Sequence, residues 1–542
     1  MSFLALLTLL SPQVSSAPAP ELALVGARVL PMDSPRVLED HTVLVRAGRI
    51  VRVGPSASVE VPPGATRIEA KGRFLVPGLC DAHVHVMDEG DLLVYLANGV
   101  TTIRNLKGLP WHVELRERIA SGEVLGPRLL TSGPFVNEPQ VRSVEDVQRT
   151  VAEQLEAGYD MLKIHGPLSL AAYEALLEEG ALAGLPVIGH APRNLAIEAV
   201  LERRGQLEIA HAEEYLYTYF DRLDEVDEAA IESIAKATAE AGITVTPNLV
   251  AFHSIVRQIE DLERELARPE MAFVAPPIGR SFQPDMNRYR RSFSSADAPG
   301  MAGRYALLER FTKALATAGV RLLAGSDAMN PVCVPGFSLQ EELRLLVAAG
   351  LTPYEALRAA TASAGAFLGD GSGVVAEGAP ADLVLLAANP LEAIERAAAI
   401  EGVVVRGRWL PKEELERGLE ERRELYAREQ AFMGRVHPTD LGAALAFRAE
   451  ARAQDPEAFL YRPEGLESLT LACATIGNGA GARALAECAV AEFPGRWTAW
   501  VRLAEACTAV EDLPAARAAL ARACELRPGD ERLARQLAAL PE

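Results

Sequence analysis

At 542 residues the chain is too long for a single hydrophobic core, so about two to four domains are expected. Hydrophobic residues make up 49% and charged residues 24%, which excludes a mainly disordered protein. The net charge is −20 and no basic stripe is present, so nucleic acid is not an expected partner. No apolar run reaches the roughly 18 residues of a membrane span, and no transmembrane segment is predicted.

The first residues, MSFLALLTLLSPQVSSAPAPE, have features of a secretory signal. A short apolar stretch is followed by the small residues SSA, which suit a cleavage site. The basic residues that usually come first are missing, so a mis-assigned start or a short tail is the alternative. We predict a signal peptide over residues 1–20 and export to the periplasm or the medium; without this signal the protein is cytoplasmic.

The six cysteines contain no CxxC pair, which argues against a zinc knuckle. Export would permit disulfides, most readily among the last four cysteines, but their pairing cannot be read from the sequence.

Residues 21–73 and 369–412 both have the texture of short strands and turns. Alternating β-branched residues occur in LALVGARVL, TVLVRAGRIVRVG and later in EGVVVRGRWLP. Two strand-rich pieces that flank a long middle region predict one small β-sandwich domain built from both flanks.

The middle region, residues 74–368, alternates apolar strands with amphipathic helices. Eight strand–helix units in about 300 residues predict an α/β fold, a (β/α)8 TIM barrel. The eight strand segments are LVPGLCDAHVHV, GVTTIRNL, RLLTSGPFV, YDMLKIHG, LPVIGHAP, LEIAHAEE, ITVTPNLV and VRLLAGSDA. The segment 254–305, which follows the seventh strand, is too long for a simple loop and is predicted to be a lid.

The C-terminal part is predicted to be helical, with a linker over 413–440 and a repeat domain over 441–542. Alanine, leucine and proline recur at a spacing of 34 residues, as in Ala482 and Ala516, and in Pro494 and Pro528. This is the tetratricopeptide (TPR) period, and a generic helical hairpin with chance spacing is the alternative. Two repeats are few for a free-standing array, so we expect this tail to dock on the enzyme, bind a protein partner or form a homo-oligomer.

Polar residues that can bind metal ions fall at the ends of the predicted strands. Their positions predict convergence on one end of the barrel, where such barrels place their active sites. Imidazole and carboxylate are ligands for Zn²⁺, and also for Mn²⁺ or Co²⁺. The candidate residues are His83, His85, Lys163, His190, His211 and Asp327. Lys163 is notable because the chain has only six lysines, and a buried amine can lose its proton whereas arginine cannot.

The motifs VPGLCDAHVHV, MLKIHG, VIGHAP, EIAHAEE and LLAGSDA, in this order, resemble the amidohydrolase superfamily. The resemblance covers about residues 22–411 and is greatest to the imidazolonepropionase-like and prolidase-like branch. It implies two divalent ions, with Zn²⁺ first and Mn²⁺ or Co²⁺ as alternatives, and a carbamate formed by CO2 on Lys163. One ion would take His83, His85, Lys163 and Asp327, and the other Lys163, His190 and His211; an ordinary lysine in a mononuclear site is the alternative.

The resemblance also implies a reaction. A hydroxide that bridges the two ions would attack a carbonyl, and Asp327 would be the catalytic acid and base. The predicted function is hydrolysis of a C–N bond, in a dipeptide or an N-acyl amino acid. Alternatives are a cyclic amide, lactone or phosphotriester, or a non-catalytic scaffold whose helical tail binds a partner.

Three further residues are candidates for contact with the substrate. His165 shares a face with Lys163, His253 follows the seventh strand, and Arg104 ends the second strand. Packing is the alternative for the two histidines. Arg104 either binds a substrate carboxylate or braces the site, and the sequence leaves both roles open. Arg288, Arg290 and Arg291 in the predicted lid suit a carboxylate-bearing substrate, but such a charge run is usually solvated.

Overall fold

The structure, a computed structural model, describes residues 22–223, 225–435 and 478–541, with residues 449, 453, 466, 467, 470, 473 and 474. The predicted signal peptide and most of residues 436–477 lie outside the described residues. None of the helices in the described ranges has the length and apolar character needed to cross a membrane. No disulfide joins the cysteines that the structure describes.

The strands and helices are named in chain order. The strands are β1 (Leu22–Val29), β2 (Leu38–Arg46), β3 (Arg49–Pro55), β4 (Thr66–Glu69), β5 (Phe74–Pro77), β6 (Leu79–Val84), β7 (Val100–Asn105), β8 (Arg128–Thr131), β9 (Leu162–Ile164), β10 (Val187–Gly189), β11 (Glu208–Ala210), β12 (Thr244–Thr246), β13 (Leu383–Leu386), β14 (Ile400–Val405) and β15 (Arg408–Pro411). The helices are α1 (Asp91–Ala97), α2 (Pro110–Ser121), α3 (Val144–Glu156), α4 (Leu170–Ala183), α5 (Ile197–Arg203), α6 (Glu214–Thr218), α7 (Glu228–Ala241), α8 (Leu249–Leu266), α9 (Pro276–Phe282), α10 (Arg288–Ser292), α11 (Ala298–Thr317), α12 (Phe337–Ala348), α13 (Pro353–Ala359), α14 (Ala362–Leu368), α15 (Lys412–Arg435), α16 (Gly479–Glu492), α17 (Trp497–Ala509), α18 (Leu513–Leu526) and α19 (Glu531–Ala539).

Strands from both flanks of the middle region share one sheet, in the order β15-β14-β13-β5-β1-β2-β3, with β4 beside β1. β1 changes neighbour along its length. Its residues Leu22 to Val25 pair with β4, and Arg28 and Val29 pair with β5. Strands from both flanks, for which the sequence predicted one small β-sandwich domain, are therefore hydrogen-bonded in one sheet. The sheet divides at β1, because one part of β1 pairs with β4 and the other part pairs with β5.

The middle region contains parallel strands that pair in chain order. β6, β7 and β8 form one sheet, β9 pairs with β10, and β11 pairs with β12. A bridge between Ser132 and Met161 joins β8 to β9, and the amide of Leu207 donates to Val187 and links β11 to β10. Single parallel bridges from Leu322 to Val245 and from Ala328 to Val84 return the pairing to β6. All these strands have their carboxyl ends on the same side, which we call the mouth.

The eighth predicted strand, VRLLAGSDA, is irregular. The structure gives isolated bridges at Leu322 and Ala328 and no continuous strand between them. Asp327 has a φ of 54°, in the left-handed region, and this turn interrupts the extended backbone. The segment nevertheless lies between β12 and β6, because the amide of Asp327 donates to the carbonyl of His83 at 2.8 Å.

The predicted lid region is helical, and it packs on the loop that follows Asp327. In one apolar cluster, Val274 and Phe282 from the region of α9 contact Met329 and Val334 from that loop. His253 lies within α8 and after β12, because the run from Leu249 to Leu266 is amphipathic and forms a helix directly after Asn248.

The helices α16 to α19 pack on one another in sequence. Ala482, Ala489, Ala516 and Ala523, which recur at the 34-residue spacing, are all fully buried. Small residues at these positions allow the helices to approach closely. Arg527 near the end of α18 forms an ion pair with Glu114 of α2 at 2.6 Å, so the C-terminal helices lie against the middle region.

Candidate metal centre

His83 and His85 stand at the end of β6 and approach the carboxylate of Asp327. Oδ1 of Asp327 is 3.4 Å from Nε2 of His83 and 3.0 Å from Nε2 of His85. The two histidines are two residues apart, so they share one face of the strand. Ligand atoms of these three side chains lie within 4.8 Å of one another, an arrangement that can hold a metal ion.

His190 and His211 extend this group. Each directly follows a strand end, His190 after β10 and His211 after β11. The ring of His211 is 4.6 Å from the ring of His83 and 4.7 Å from that of His190, measured between centroids. Burial, with the charge of Lys163, lowers the pKa of His83 and His190 well below its usual value. These imidazoles are therefore neutral, which is the form that binds metals.

Lys163 lies in β9 and is fully buried. Burial lowers its pKa to about 8, while the negative charges of Glu208 and Asp327 act in the opposite direction. Its Nζ has no hydrogen-bond partner among the described residues. A Cβ at Gly189 would lie 2.5 Å from Cδ of Lys163, so glycine is required here to admit the lysine stem. The amine is thus held without a protein partner near the histidines.

Asp327 is the carboxylate of the site. Burial acts to raise its pKa, but the hydrogen bond with His85 and the charges of His211 and Lys163 outweigh burial and lower the pKa. Asp327 is therefore ionised at neutral pH. An ionised carboxylate can bind a cation or accept a proton from water.

Sequence reasoning missed Glu214, which holds His190. Oε1 of Glu214 lies 2.6 Å from Nδ1 of His190, and Arg193 donates to the same carboxylate. This hydrogen bond engages Nδ1 and leaves Nε2 of His190 for a cation. Glu214 is visible in the motif HAEE, three residues after His211, but no sequence spacing connects it with His190.

Sequence reasoning also missed two acids behind the metal ligands. Glu208 pairs with Arg104 and accepts a hydrogen bond from Thr246, and Asp81 accepts from the amide and hydroxyl of Ser326 at 2.9 and 2.6 Å. Arg104 is 1% exposed. Its burial and its pairing favour the bracing role over contact with a substrate.

The other two candidate substrate contacts lie in different surroundings. The exposed ring of His165 stacks on Phe135 at 4.3 Å and is 4.7 Å from the ring of His190, so it borders the metal centre. The ring of His253 stacks on Tyr305 at 4.7 Å, and its Nδ1 is 3.3 Å from Arg257. The contacts given for His253 join it to α8 and its neighbours, and none of them is with a candidate metal ligand in the described part of the chain.

The donor set fits a pair of divalent cations. Nδ1 of His83, Nδ1 of His85 and Nζ of Lys163 are buried atoms without a hydrogen-bond partner among the described residues. Buried polar atoms rarely remain unpaired, and they mark a place where a bound group belongs. Four imidazoles, one ionised carboxylate and an amine are suitable ligands for Zn²⁺ or a similar ion.

Comparison of the sequence with known proteins finds one matching family and a set of curated relatives. The sequence model described as "Amidohydrolase family" matches residues 74–410. An adenine deaminase of Paracoccus denitrificans (strain Pd 1222) is 38% identical over 97 residues, which are 17% of this chain and 16% of that protein. This chain therefore spans only a small part of that curated relative.

Two solved structures resemble most of this chain. A bottromycin amidohydrolase superposes with a TM-score of 0.62 and 26% identity, covering 75% of this chain and 90% of that one. A prolidase in complex with N-methylphosphonate-L-proline superposes with a TM-score of 0.54 and 25% identity, covering 72% and 99%. Both likenesses extend over nearly the whole of the solved chains.

Proposed function

The chain belongs to the amidohydrolase family, and from this premise we propose that it is a metal-dependent enzyme that hydrolyses a C–N bond. The substrate we propose is a dipeptide or an N-acyl amino acid. One observation carries the proposal: donor atoms of His83, His85 and Asp327 lie within 4.8 Å of one another, at the mouth.

The proposed ligands are divided between two ions. His83, His85, Lys163 and Asp327 would hold the first, and Lys163, His190 and His211 the second. We propose that Lys163 is carboxylated, because its buried Nζ has no hydrogen-bond partner among the described residues and a pKa of about 8 provides a neutral fraction at neutral pH. Two divalent cations, with zinc first and manganese or cobalt as alternatives, would polarise the carbonyl and lower the pKa of water.

Asp327 has the proton-transfer role in this proposal. Its lowered pKa keeps it ionised, so it can accept a proton from the attacking water. The same carboxyl then returns the proton to the leaving amine. His165 borders the centre and is proposed as a substrate contact, whereas Arg104 is proposed to brace β7 against β11 through Glu208.

The fold proposal is a (β/α)8 TIM barrel over residues 74–368, with a small β-sandwich domain from 21–73 and 369–412. The parallel pairing that returns to β6 supports the barrel. A linker over 413–440 and a TPR-like domain over 441–542 complete the proposal, with the 34-residue recurrence of buried alanines as support. Export through a signal peptide over 1–20, and a protein partner or second copy for the tail, remain predictions.

A second candidate reaction is deamination of a purine. The curated relative from Paracoccus denitrificans is named an adenine deaminase, and deamination also breaks a C–N bond. Hydrolysis of a cyclic amide, lactone or phosphotriester by the same centre, and a scaffold without activity, are the remaining alternatives.

The test is a screen of the metal-loaded protein. Dipeptides and N-acyl amino acids are assayed beside adenine, cyclic amides, lactones and phosphotriesters. We expect amine release from the dipeptides and N-acyl amino acids. His83→Asn should lose this activity. His41→Asn is the control and should retain it, because His41 lies in β2 and is not a candidate metal ligand. Activity on adenine alone would favour the deaminase, and activity on none would favour the scaffold.

A further inference from the structure

The start of α10 is fastened to the loop that follows Asp327. Asn287 is fully buried, and its Nδ2 donates to Oε1 of Gln258 at 2.8 Å. Nε2 of Gln258 in turn donates to the carbonyl of Pro331 at 3.1 Å. Oδ1 of Asn287 accepts from the amides of Tyr289 and Arg290 and thereby begins the helix. Arg288 is therefore carried on a fixed backbone beside the mouth.

The guanidinium of Arg288 is held by neutral groups only. Its Nη2 donates to Oδ1 of Asn330 and, at 2.7 Å, to the hydroxyl of Tyr289. The Tyr289 hydroxyl donates to the same oxygen of Asn330 at 2.9 Å. The amide of Asn330 donates to the carbonyl of Asp327 at 2.6 Å. One residue, Asn330, thus connects Arg288 with the catalytic carboxylate's own backbone.

Arg288 differs in its pairing from the other arginines near the mouth. Arg193 pairs with Glu214, and Arg257 and Arg268 pair with Glu341. Among the described residues, no carboxylate lies within 4.0 Å of Arg288, whose side chain is exposed at the surface. Two neutral partners fix the orientation of the guanidinium without cancelling its charge, and its Nε and Nη1 remain available to an anion.

The described acidic side chains on the facing elements do not form an ion pair with the guanidinium of Arg288. Glu213, two residues after His211, is an acid that interacts electrostatically with Arg288. Its Oε1 lies 3.6 Å from Nη2 of Arg193, whereas it forms no ion pair within 4.0 Å with Arg288. A guanidinium that is pre-oriented, uncompensated and connected to Asp327 is suited to bind the carboxylate of a small molecule whose scissile bond lies at the metal centre.

We propose that Arg288 binds the free carboxylate of the substrate and thereby selects N-acyl amino acids and dipeptides over their C-terminal amides. This inference rests on the proposed function. It also separates three arginines that the sequence left equivalent. Arg290 and Arg291 are exposed on the same short helix, and the contacts given for Asn330 and Tyr289 are with Arg288 and not with them.

The test uses the full metal-loaded chain and a paired library. Each dipeptide or N-acyl amino acid is supplied as the free acid and as its C-terminal amide, and kcat/KM is measured for both. The free acids are expected to be preferred. Arg288→Gln is expected to lower kcat/KM for the acids roughly 10- to 150-fold, mainly through KM, and to leave the amides nearly unchanged. Arg291→Gln is the matched control and should retain the preference for acids.

Binding separates this inference from the proposed function. The same acids and amides are titrated calorimetrically into the native protein and Arg288→Gln. If none of the library is hydrolysed, the proposed function fails, while tighter binding of acids that is lost only in Arg288→Gln still supports the carboxylate subsite. Equal binding of acids and amides, absence of binding by either, or equal losses in Arg288→Gln and Arg291→Gln would overturn it. Unfolding curves of both variants exclude a general loss of folding as the cause.

Discussion

Oε1 of Glu214 lies 2.6 Å from Nδ1 of His190, and both side chains are buried. The carboxylate fixes the orientation of the ring and directs Nε2 toward the proposed metal pair. Replacement of Glu214 by Gln removes the charge and weakens this support, so we expect metal affinity to fall roughly 10- to 100-fold. Competition with a chromophoric chelator measures the affinity.

Glu213→Gln is the matched control for that experiment, because Glu213 is adjacent, is also acidic, and pairs with Arg193 rather than with His190. The metal affinity of Glu213→Gln should change much less than that of Glu214→Gln. Equal affinities for native protein and Glu214→Gln would show that Glu214 does not support a metal ligand.

The buried pair of Arg104 and Glu208 is expected to act on stability. Both side chains are at most 1% exposed, and Thr246 donates a second hydrogen bond to the carboxylate. Glu208→Gln leaves the Arg104 charge uncompensated and should lower the free energy of unfolding by about 3–5 kcal/mol. Replacing both, as Arg104→Met with Glu208→Leu, should recover part of that loss. Urea denaturation measures both effects.

This pair also distinguishes the two roles that the sequence left open for Arg104. If Arg104 contacted substrate, Arg104→Met would raise KM while the stability of the protein stayed the same. We expect the reverse for Arg104→Met: the free energy of unfolding falls, and KM changes little.

Glu429 of α15 makes stability depend on pH. Neither of its carboxylate oxygens has a hydrogen-bond partner among the described residues, and burial, with the charge of Asp88, raises its pKa to about 9. A glutamic acid in an unfolded chain has a pKa of about 4.3. Between these values the folded state binds a proton that the unfolded state does not. Stability therefore falls as pH rises, by at most about 1.4 kcal/mol per pH unit from this group.

Glu429→Gln should remove that dependence and raise the thermal midpoint more at pH 8.5 than at pH 5. Glu420→Gln, on an exposed face of the same helix, is the control and should follow the native curve. Parallel pH curves for Glu429→Gln and the native protein would contradict this expectation. Asp91, whose pKa burial raises to about 8, contributes a slope of the same sign that ends at a lower pH, and both variants retain it.

The C-terminal helices are expected to be dispensable for the chemistry. Their ion pairs with the middle region, Arg527 with Glu114 and Arg535 with Glu153, are partly exposed. Exposed pairs contribute about 0–1 kcal/mol each, so deletion of residues 441–542 should change kcat/KM by no more than about threefold. A loss of activity beyond a hundredfold, in a truncated protein that still binds metal, would mean that the tail completes the site.

The features that depend on local pattern could be predicted from the sequence. Period-2 geometry placed His83 and His85 on one face, and positions at strand ends brought His190 and His211 to the same mouth, where their rings lie 4.7 Å apart. The middle region was predicted to alternate strands with amphipathic helices, and Val144–Glu156 and Glu228–Ala241 are two such helices, capped by Ser143 and Asp227.

Features that depend on tertiary contact could not be predicted in the same way. Glu214 and Glu208 find their partners 24 and 104 residues away in the chain, and nothing local marks those pairs. The left-handed turn at Asp327 removed the regular eighth strand. Arg288 could not be distinguished from Arg290 and Arg291, because the contact with Asn330 that separates them arises only when α10 packs on the loop after Asp327.

The most direct test of the metal centre is elemental analysis of the purified protein beside Lys163→Arg. A pair of divalent cations bridged by a carboxylated lysine predicts about two ions per chain in the native protein, and loss of at least one in Lys163→Arg, because arginine cannot form a carbamate. Lys236→Arg, at an exposed position on α7, is the control and should retain both ions. One ion or none in the native protein, or two ions in Lys163→Arg, would contradict the account.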